Sequence, residues 1–359
     1  MDLLVLGADG LDPRVTRYLI QKGRLETIST LTDTGEGELD GMASRRGFQS
    51  VPHTGPAWLT IYTGQTEREH GLTKGGWVQG DSVFTDYYDE TVFEELVNAG
   101  RRVGVAFMAN TYPAHIETDD GSWMISGYPS TGDRDRIVDP PSLVEYLPDD
   151  YESLQAKHLV NSGDDSRNAV GTIAPVEAWI AADRRKRREV LRPILEENPV
   201  DVLFYGTQIT DIMGHRCKPF PYYTTGIGER IAGFINDLFG TTLQPPRLNS
   251  MAWNAEFRRA YEYIDSLLNW FIETCDPDRI LLLSDHGYGL DGKDHAFVGT
   301  SMVCGDISRP ECTIEVKDCI LEALISDASG GGEKSVDDPL TGEERDEIEE
   351  QLGALGYTD

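Results

Sequence analysis

Three short apolar runs constrain the fold of this chain more than any other feature, because each leads into a carboxylate. Leu3 to Ala8 runs into Asp9, Val200 to Tyr205 leads to Asp211, and Arg279 to Leu283 ends in Ser284-Asp285. Short apolar runs bounded by turn residues read as strands buried on both faces, the habit of a parallel sheet. Arg102 to Met108 reads as a further strand and Glu36 to Met42 as a weaker one. Between them lie helical stretches: Arg14 to Gln21, Phe93 to Asn98 stopped by Gly100, Val176 to Glu197, and Ala255 to Cys275. This alternation predicts an α/β fold, a doubly wound and mainly parallel sheet flanked by helices. In open parallel sheets ligands bind beyond the carboxyl ends of the strands, so the three acids are expected at one place.

Carboxylates delivered together repel one another unless a cation sits between them. Two of the acids have a histidine close by. Asp211 and His215 are four residues apart, so one helical turn points both side chains the same way. Asp285 and His286 are adjacent at a strand end, and His295 follows on a Gly-flanked loop. Mixed carboxylate and imidazole donors suit Zn²⁺ and related transition metals. A lone Asp-His pair is ordinarily a surface feature or a satisfied core histidine. The joint placement, in order and after predicted strands, is the specific signal. His53, His115 and His158 lack that context and read as structural or exposed.

A second unusual stretch runs from Ser50 to Gly64, with Thr54 lying between Pro52 and Pro56 just ahead of an apolar run. The prolines fix the entry turn and Gly55 allows a sharp bend. Trp58 to Tyr62 has room for a short helix that Gly64 stops. Thr54 is then expected at the positive N-terminal end of a helix, where an anion is favoured. Taken alone, the stretch reads more readily as a capping threonine with no chemistry. His70, before Gly71, is expected to support this region.

These residues together resemble the alkaline phosphatase superfamily, in its type I phosphodiesterase/nucleotide pyrophosphatase branch. The resemblance rests on Gly7-Ala8-Asp9-Gly10, the block from Thr54-Gly55-Pro56 to His70-Gly71, Asp211 to His215, Ser284-Asp285-His286-Gly287 and His295. Val103 to Pro113 and Met124 to Gly127 add to it. The resemblance implies an alkaline phosphatase-like fold and two divalent metal ions, Zn²⁺ or Mn²⁺. It implies Thr54 as nucleophile, one ion held by Asp211, His215 and His295, and the other by Asp9, Asp285, His286 and the Thr54 oxygen. It further implies hydrolysis of phosphodiester or phosphoanhydride bonds through a phospho-threonine, with a small phosphorylated substrate such as a nucleotide. One position departs from the branch: Gly75, next to Lys74, stands where nucleotide pyrophosphatases carry a phosphate-binding asparagine.

Composition narrows the partners. The formal net charge is -30 and the isoelectric point about 4.5. Acidity spread in this way argues against nucleic acid and anionic membrane surfaces as partners. It resembles the surfaces of halophilic proteins, where carboxylates hold water and cations. The run Arg184-Arg185-Lys186-Arg187-Arg188 is accordingly expected to be a solvated helix face paired with carboxylates. The N-terminus lacks a basic region and a cleavage site, and no apolar stretch is long enough to span a bilayer, so a cytoplasmic protein is expected. Cys217, Cys275, Cys304, Cys312 and Cys319 form no CxxC pair, and their odd number argues against a disulfide framework.

Two stretches read as insertions that cap the site, at about 110–172 and 216–250, within a catalytic domain spanning 1–325. Phe220, Tyr222 and Tyr223 in the second would stack a base or, as the preferred reading, form the core of that cap. A Gly- and Asp-rich linker and a final helix with capping-box spacing at Thr341 to Glu344 occupy 326–359. Competing functions are a phosphomonoesterase or phosphonate hydrolase on the same site, and a non-catalytic binding protein of the same fold. A sulfatase is disfavoured, because Thr54-Gly55-Pro56-Ala57-Trp58 lacks the Cys or Ser of its nucleophile motif.

Overall fold

The computed structural model describes residues 1–43, 52–73, 84–117, 121–128, 130, 134–154, 159, 174–217, 255–288 and 295–325. Expectations that fall on Lys74, Gly75, His158, Phe220, Tyr222, Tyr223, most of 155–173, the 218–250 insertion and 326–359 lie outside the described residues.

Ten strands are present among the described residues: β1 Leu3–Ala8, β2 Gly37–Ala43, β3 Val103–Ala106, β4 Trp123–Ile125, β5 Val138–Asp139, β6 Val202–Thr207, β7 Ile280–Leu283, β8 Gly287–Tyr288, β9 His295–Ala296 and β10 Val298–Cys304. Eight form one sheet in the order β2-β10-β7-β1-β6-β3-β4-β5, while β8 and β9 pair with each other. The middle, β7-β1-β6-β3-β4, is parallel, and antiparallel pairs close both edges. The expected doubly wound, mainly parallel sheet is therefore present.

The strand alternation explains its two-sided burial. Leu4, Leu6, Leu203, Tyr205, Ile280 and Leu282 face one apolar layer. Leu3, Val5, Val202, Phe204, Leu281 and Leu283 face the other. Successive side chains of a strand point to opposite faces, so a run apolar at every position needs cover on both. The helices Pro13–Gln21, Val176–Lys186 and Ala255–Cys275 cover the first layer, and Thr54–Thr63, Val92–Asn98 and Val316–Ile325 the second.

Three differences from the sequence reading stand out. First, β10 was not expected, yet all seven of its residues are buried. Its Gly299, Thr300 and Ser301 dilute the apolar signal, but a Cβ at Gly299 would lie 2.2 Å from the Ser284 carbonyl oxygen, so only glycine fits there. Second, the stretch 110–172 is not a cap throughout, because β4 pairs in parallel with β3 and β5 extends the sheet beyond it. Third, the helix expected from Val176 to Glu197 contains a π-helical turn at Arg187–Leu191. Arg185 and Arg188 behave as a solvated face, pairing with Asp150 and Glu189 at 2.6 and 2.7 Å. Arg187 does not: it is buried, with its guanidinium 3.3 Å from Asp183 and 4.6 Å from the centre of the Trp270 ring. All five cysteines are free thiols, three of them buried. No helix among the described residues is long and apolar enough to cross a membrane.

Candidate active site

Strand register brings the three acids together. Gly7 pairs with Gly206 on one side and Leu283 on the other, so β6, β1 and β7 end level. Asp9 follows β1 directly, Asp285 lies two residues past β7, and Asp211 opens the helix Ile209–Arg216 after β6. The turns interlock. The Asp211 amide donates to the Asp9 carbonyl at 3.0 Å, and the Leu11 amide donates to the Ser284 hydroxyl oxygen at 2.9 Å. Gly10 has φ 71°, and a Cβ there would lie 2.8 Å from the Asp211 Cα, so glycine meets both demands at this crossing.

Six of the seven candidate residues then form two groups. Asp9, Asp285 and His286 offer ligand atoms within 4.8 Å of one another, and so do Asp211, His215 and His295. In the first, His286 Nε2 is 3.2 Å from Asp9 Oδ1 and 3.6 Å from Asp285 Oδ2. In the second, Asp211 Oδ1 is 3.3 Å from His215 Nε2 and 3.5 Å from His295 Nε2. The groups adjoin: His286 Nε2 is 3.8 Å from Asp211 Oδ1, and the His286 and His295 rings stack at 3.6 Å.

The tautomers decide what this geometry is for. His286 Nδ1 lies 3.0 Å from the Gly287 carbonyl oxygen and His295 Nδ1 lies 2.8 Å from that of Pro52. A carbonyl only accepts, so each Nδ1 carries the hydrogen and each Nε2 presents a lone pair to the carboxylates. Lone pair then faces lone pair. Both Asp9 oxygens and His286 Nε2 are buried without a hydrogen-bond partner. Orphaned buried acceptors are costly, and a cation is the partner that this donor set fits.

The electrostatics make the same demand. Burial works against a charge on His286, but Asp285, Asp9 and Asp211 outweigh it and push the imidazole up to about 10. Burial, then Asp9, raises the Asp285 carboxyl well above the usual range. Asp211 moves down despite its burial, held there chiefly by His215 and then by His295. Without positive charge at its centre, the first group draws protons onto Asp285 and His286, while in the second burial pushes His295 down to about 2.

Thr54 is the first residue of the helix Thr54–Thr63, which Gly64 ends at φ 69°. His53 occupies the cap position but makes no side-chain cap bond. The Pro52 carbonyl bonded to His295 ties this helix start to the second group, and the His53 ring centre lies 5.9 Å from that of His295. Trp58 packs the helix onto β1, where a Cβ on Gly7 would lie 2.6 Å from its ring. His70 supports the helix as expected: its Nε2 lies 3.2 Å from the Thr60 hydroxyl, and burial pulls it down to about 4. His115 stands apart, against the edge of Tyr88.

The sequence reading missed one supporting set. Buried Asp12 caps the helix Pro13–Gln21, pairs with Arg14 at 2.6 Å and accepts the Tyr288 amide at 2.9 Å. The Tyr288 hydroxyl in turn reaches the Thr210 and Asp211 carbonyls at 2.9 and 3.0 Å. A Cβ on Gly214 would lie 2.0 Å from that hydroxyl, so this glycine makes the approach possible. Asp12-Pro13 is a readable cap signal, whereas nothing local marks Tyr288.

Several solved structures resemble this one. Phosphonate monoester hydrolase SpPMH from Silicibacter pomeroyi is 15% identical over 90% of this chain and 72% of that chain, with a TM-score of 0.46. The phosphonate monoester hydrolase of Agrobacterium radiobacter is 11% identical over 93% and 78%, with a TM-score of 0.48. The C-terminal periplasmic domain of EcEptC from Escherichia coli, in complex with Zn, is 12% identical over 90% and 82%, with a TM-score of 0.43. At such identities the likeness says nothing of substrate. No curated protein matches the sequence. The family signal is of another kind, since residues 3–298 match the type I phosphodiesterase / nucleotide pyrophosphatase family from β1 past His295, and the chain belongs to that family.

Proposed function

We propose that this phosphoester hydrolase works on phosphodiester or phosphoanhydride bonds with two divalent ions and Thr54 as nucleophile. The carrying observation is the pair of adjoining carboxylate-imidazole groups with buried, unpartnered acceptors. Asp211, His215 and His295 would hold one ion, and Asp9, Asp285 and His286 with the Thr54 oxygen the other. Zn²⁺ suits these donors, and Mn²⁺ is the alternative. When bound, the ions lower the pKa of a coordinated hydroxyl and neutralise charge on the phosphoryl oxygens.

The chain's own residues supply the rest. Thr54 presents its oxygen at a helix N-terminus, where the dipole favours a phosphoryl anion. The Gly287 and Pro52 carbonyls hold two imidazoles in the ligating tautomer. Thr54 Oγ1 attacks phosphorus and the leaving-group oxygen departs in line. Water then cleaves the phospho-threonine, its oxygen passing to phosphorus and a proton to the threonine.

Diesters are expected to be preferred over monoesters, with the phosphoanhydride bonds of nucleotides as the other substrate class. Gly55, Pro56, Ala57 and Trp58 follow the nucleophile, and none carries the positive charge that a dianionic monoester would use. The test is kcat/KM for bis-p-nitrophenyl phosphate against p-nitrophenyl phosphate, at saturating Zn²⁺ or Mn²⁺. A diester preference of about tenfold, or roughly 1.4 kcal/mol, is expected. The reverse preference assigns a phosphomonoesterase. No turnover of either, nor of a nucleotide panel, assigns a binding protein.

A further inference from the structure

A cavity of about 240 Å³ lies one strand along the sheet from the two ligand groups. Gly206 and Thr207 at the end of β6 form one wall, with Gln208 just before the Asp211 helix. Tyr128, 43% exposed, lines the cavity, and after burial the charges of Asp211 and Asp9 raise its hydroxyl. The space is smaller than the roughly 300 Å³ at which drug-sized sites begin, so it suits one small substituent.

Its lining holds the nitrogen-bearing side chains of Lys186, Trp179 and Gln208 beside the Asp183 carboxylate and several hydroxyl residues. Trp179, 8% exposed, carries a buried indole N–H that has no hydrogen-bond partner. The buried amide nitrogen of Gln208 has none either. The Lys186 ammonium lies 4.8 Å from the centre of the Phe107 ring, and no carboxylate among the described residues is within ion-pair distance of it. Asp183, the acid beside it, is already engaged by Arg187 and by the hydroxyls of Tyr205 and Tyr263. Phe107 holds its place at φ 60°, a left-handed conformation uncommon for a bulky residue. Three N–H side chains thus belong to a lining whose one carboxylate, Asp183, already has its partners. Each unmet buried donor costs about 1–3 kcal/mol, which a ligand rich in acceptors removes.

We infer that this cavity holds one ester group of the substrate, and that this group carries an oxyanion of its own, a carboxylate or a phosphate. The inference rests on the phosphoester-hydrolase reading above. Lys186 supplies the charge, Trp179 and Gln208 supply directed N–H groups, and the Phe107 ring supports the ammonium from its other side. The preferred substrate is then a diester with a second anionic centre close to the scissile phosphorus.

Symmetric diesters test this whichever ester group leaves. The probes are bis(4-carboxyphenyl) phosphate, its uncharged bis(4-carbamoylphenyl) counterpart, and bis(4-phosphonophenyl) phosphate, on the metal-loaded full-length protein. The wild type is expected to favour an anionic probe over the neutral one by about tenfold in kcat/KM, the size of a charge-assisted hydrogen bond. Lys186→Met keeps the apolar stem and should abolish that preference, lowering kcat/KM of the anionic probes by about tenfold more than that of the neutral diester. Trp179→Phe should reduce it about threefold, the loss of one neutral hydrogen bond. Whether the carboxylate or the phosphonate probe gains more identifies the oxyanion. An equal preference in wild type and Lys186→Met, with the neutral diester turned over, overturns the inference and leaves the hydrolase reading standing. If wild type turns over none of the three, the hydrolase reading fails, and calorimetric binding of the carboxylate probe to wild type and Lys186→Met decides the cavity alone. Tighter binding to wild type supports it, and equal binding overturns it.

Discussion

Among the described residues, the buried carboxylates at Asp183 and at the sheet edge are built in opposite ways. Asp183 accepts from the Tyr205 hydroxyl at 2.8 Å, from the Tyr263 hydroxyl, and from Arg187 at 3.3 Å, and the Tyr263 hydroxyl also accepts from Arg187. Every charge there meets a counter-charge or a donor. At the sheet edge Asp9, Asp211 and Asp285 meet imidazole lone pairs and one another, and both Asp9 oxygens have no donor at all. Burying a charge is costly unless it is paired. The first centre closes on itself and belongs to the core. The second leaves buried acceptors unpartnered, and a bound cation would satisfy them.

The largest expected effect separates chemistry from architecture at the edge. Thr54→Ala should lower kcat by at least about a thousandfold, while metal content and melting temperature stay near wild type. Thr54→Ser should recover part of the activity, because it keeps the oxygen. If stability falls in step with turnover, Thr54 belongs with the structural residues instead.

The self-contained centre should break by stability alone. Arg187→Met leaves Asp183 buried without its cation, at a cost of about 3–5 kcal/mol in urea unfolding, with kcat/KM of the folded protein unchanged. A loss below about 1 kcal/mol would mean that the two tyrosine hydroxyls suffice.

Chelation should reverse that pattern, abolishing activity and removing about 3 kcal/mol of stability for each ion that was present at a hundredfold over its dissociation constant. The same decrement is expected in Arg187→Met, because distant independent sites add. Identical unfolding with and without chelator would erase the contrast between the centres.

Tyr288→Phe is the smallest change. It removes the hydroxyl that reaches the Thr210 and Asp211 carbonyls. The expected cost is about 1 kcal/mol of stability and a metal affinity weaker by about tenfold. Metal affinity within twofold of wild type would show that the helix Ile209–Arg216 holds Asp211 unaided.

Much of this was legible before any coordinates. The β1, β6 and β7 runs announced themselves because buried parallel strands are apolar at every position, and Ala255–Cys275 matches its expected bounds. Asp9, Asp285 and His286 lie just past strand ends and His215 one helical turn from Asp211, whereas His295, read as a loop residue, begins β9. The parts that escaped share a cause. β10 is buried by strands far off in sequence, and its glycine and hydroxyl residues serve close approach, which leaves no periodic apolar signal. Trp123–Ile125 is too short to read as a strand until β3 lies beside it.

The sequence by itself determined the fold class, the family and the acids at the strand ends, since strand periodicity, turn glycines and the spacing of Asp and His are local properties. Tertiary structure alone decided which charges are satisfied. Arg187 and Lys186 are adjacent in one basic run, yet Arg187 closes on Asp183 in the core while Lys186 faces a cavity beside the site. Whether a buried charge is paired depends on atoms a few ångströms away, and those atoms come from segments that chain order does not bring together.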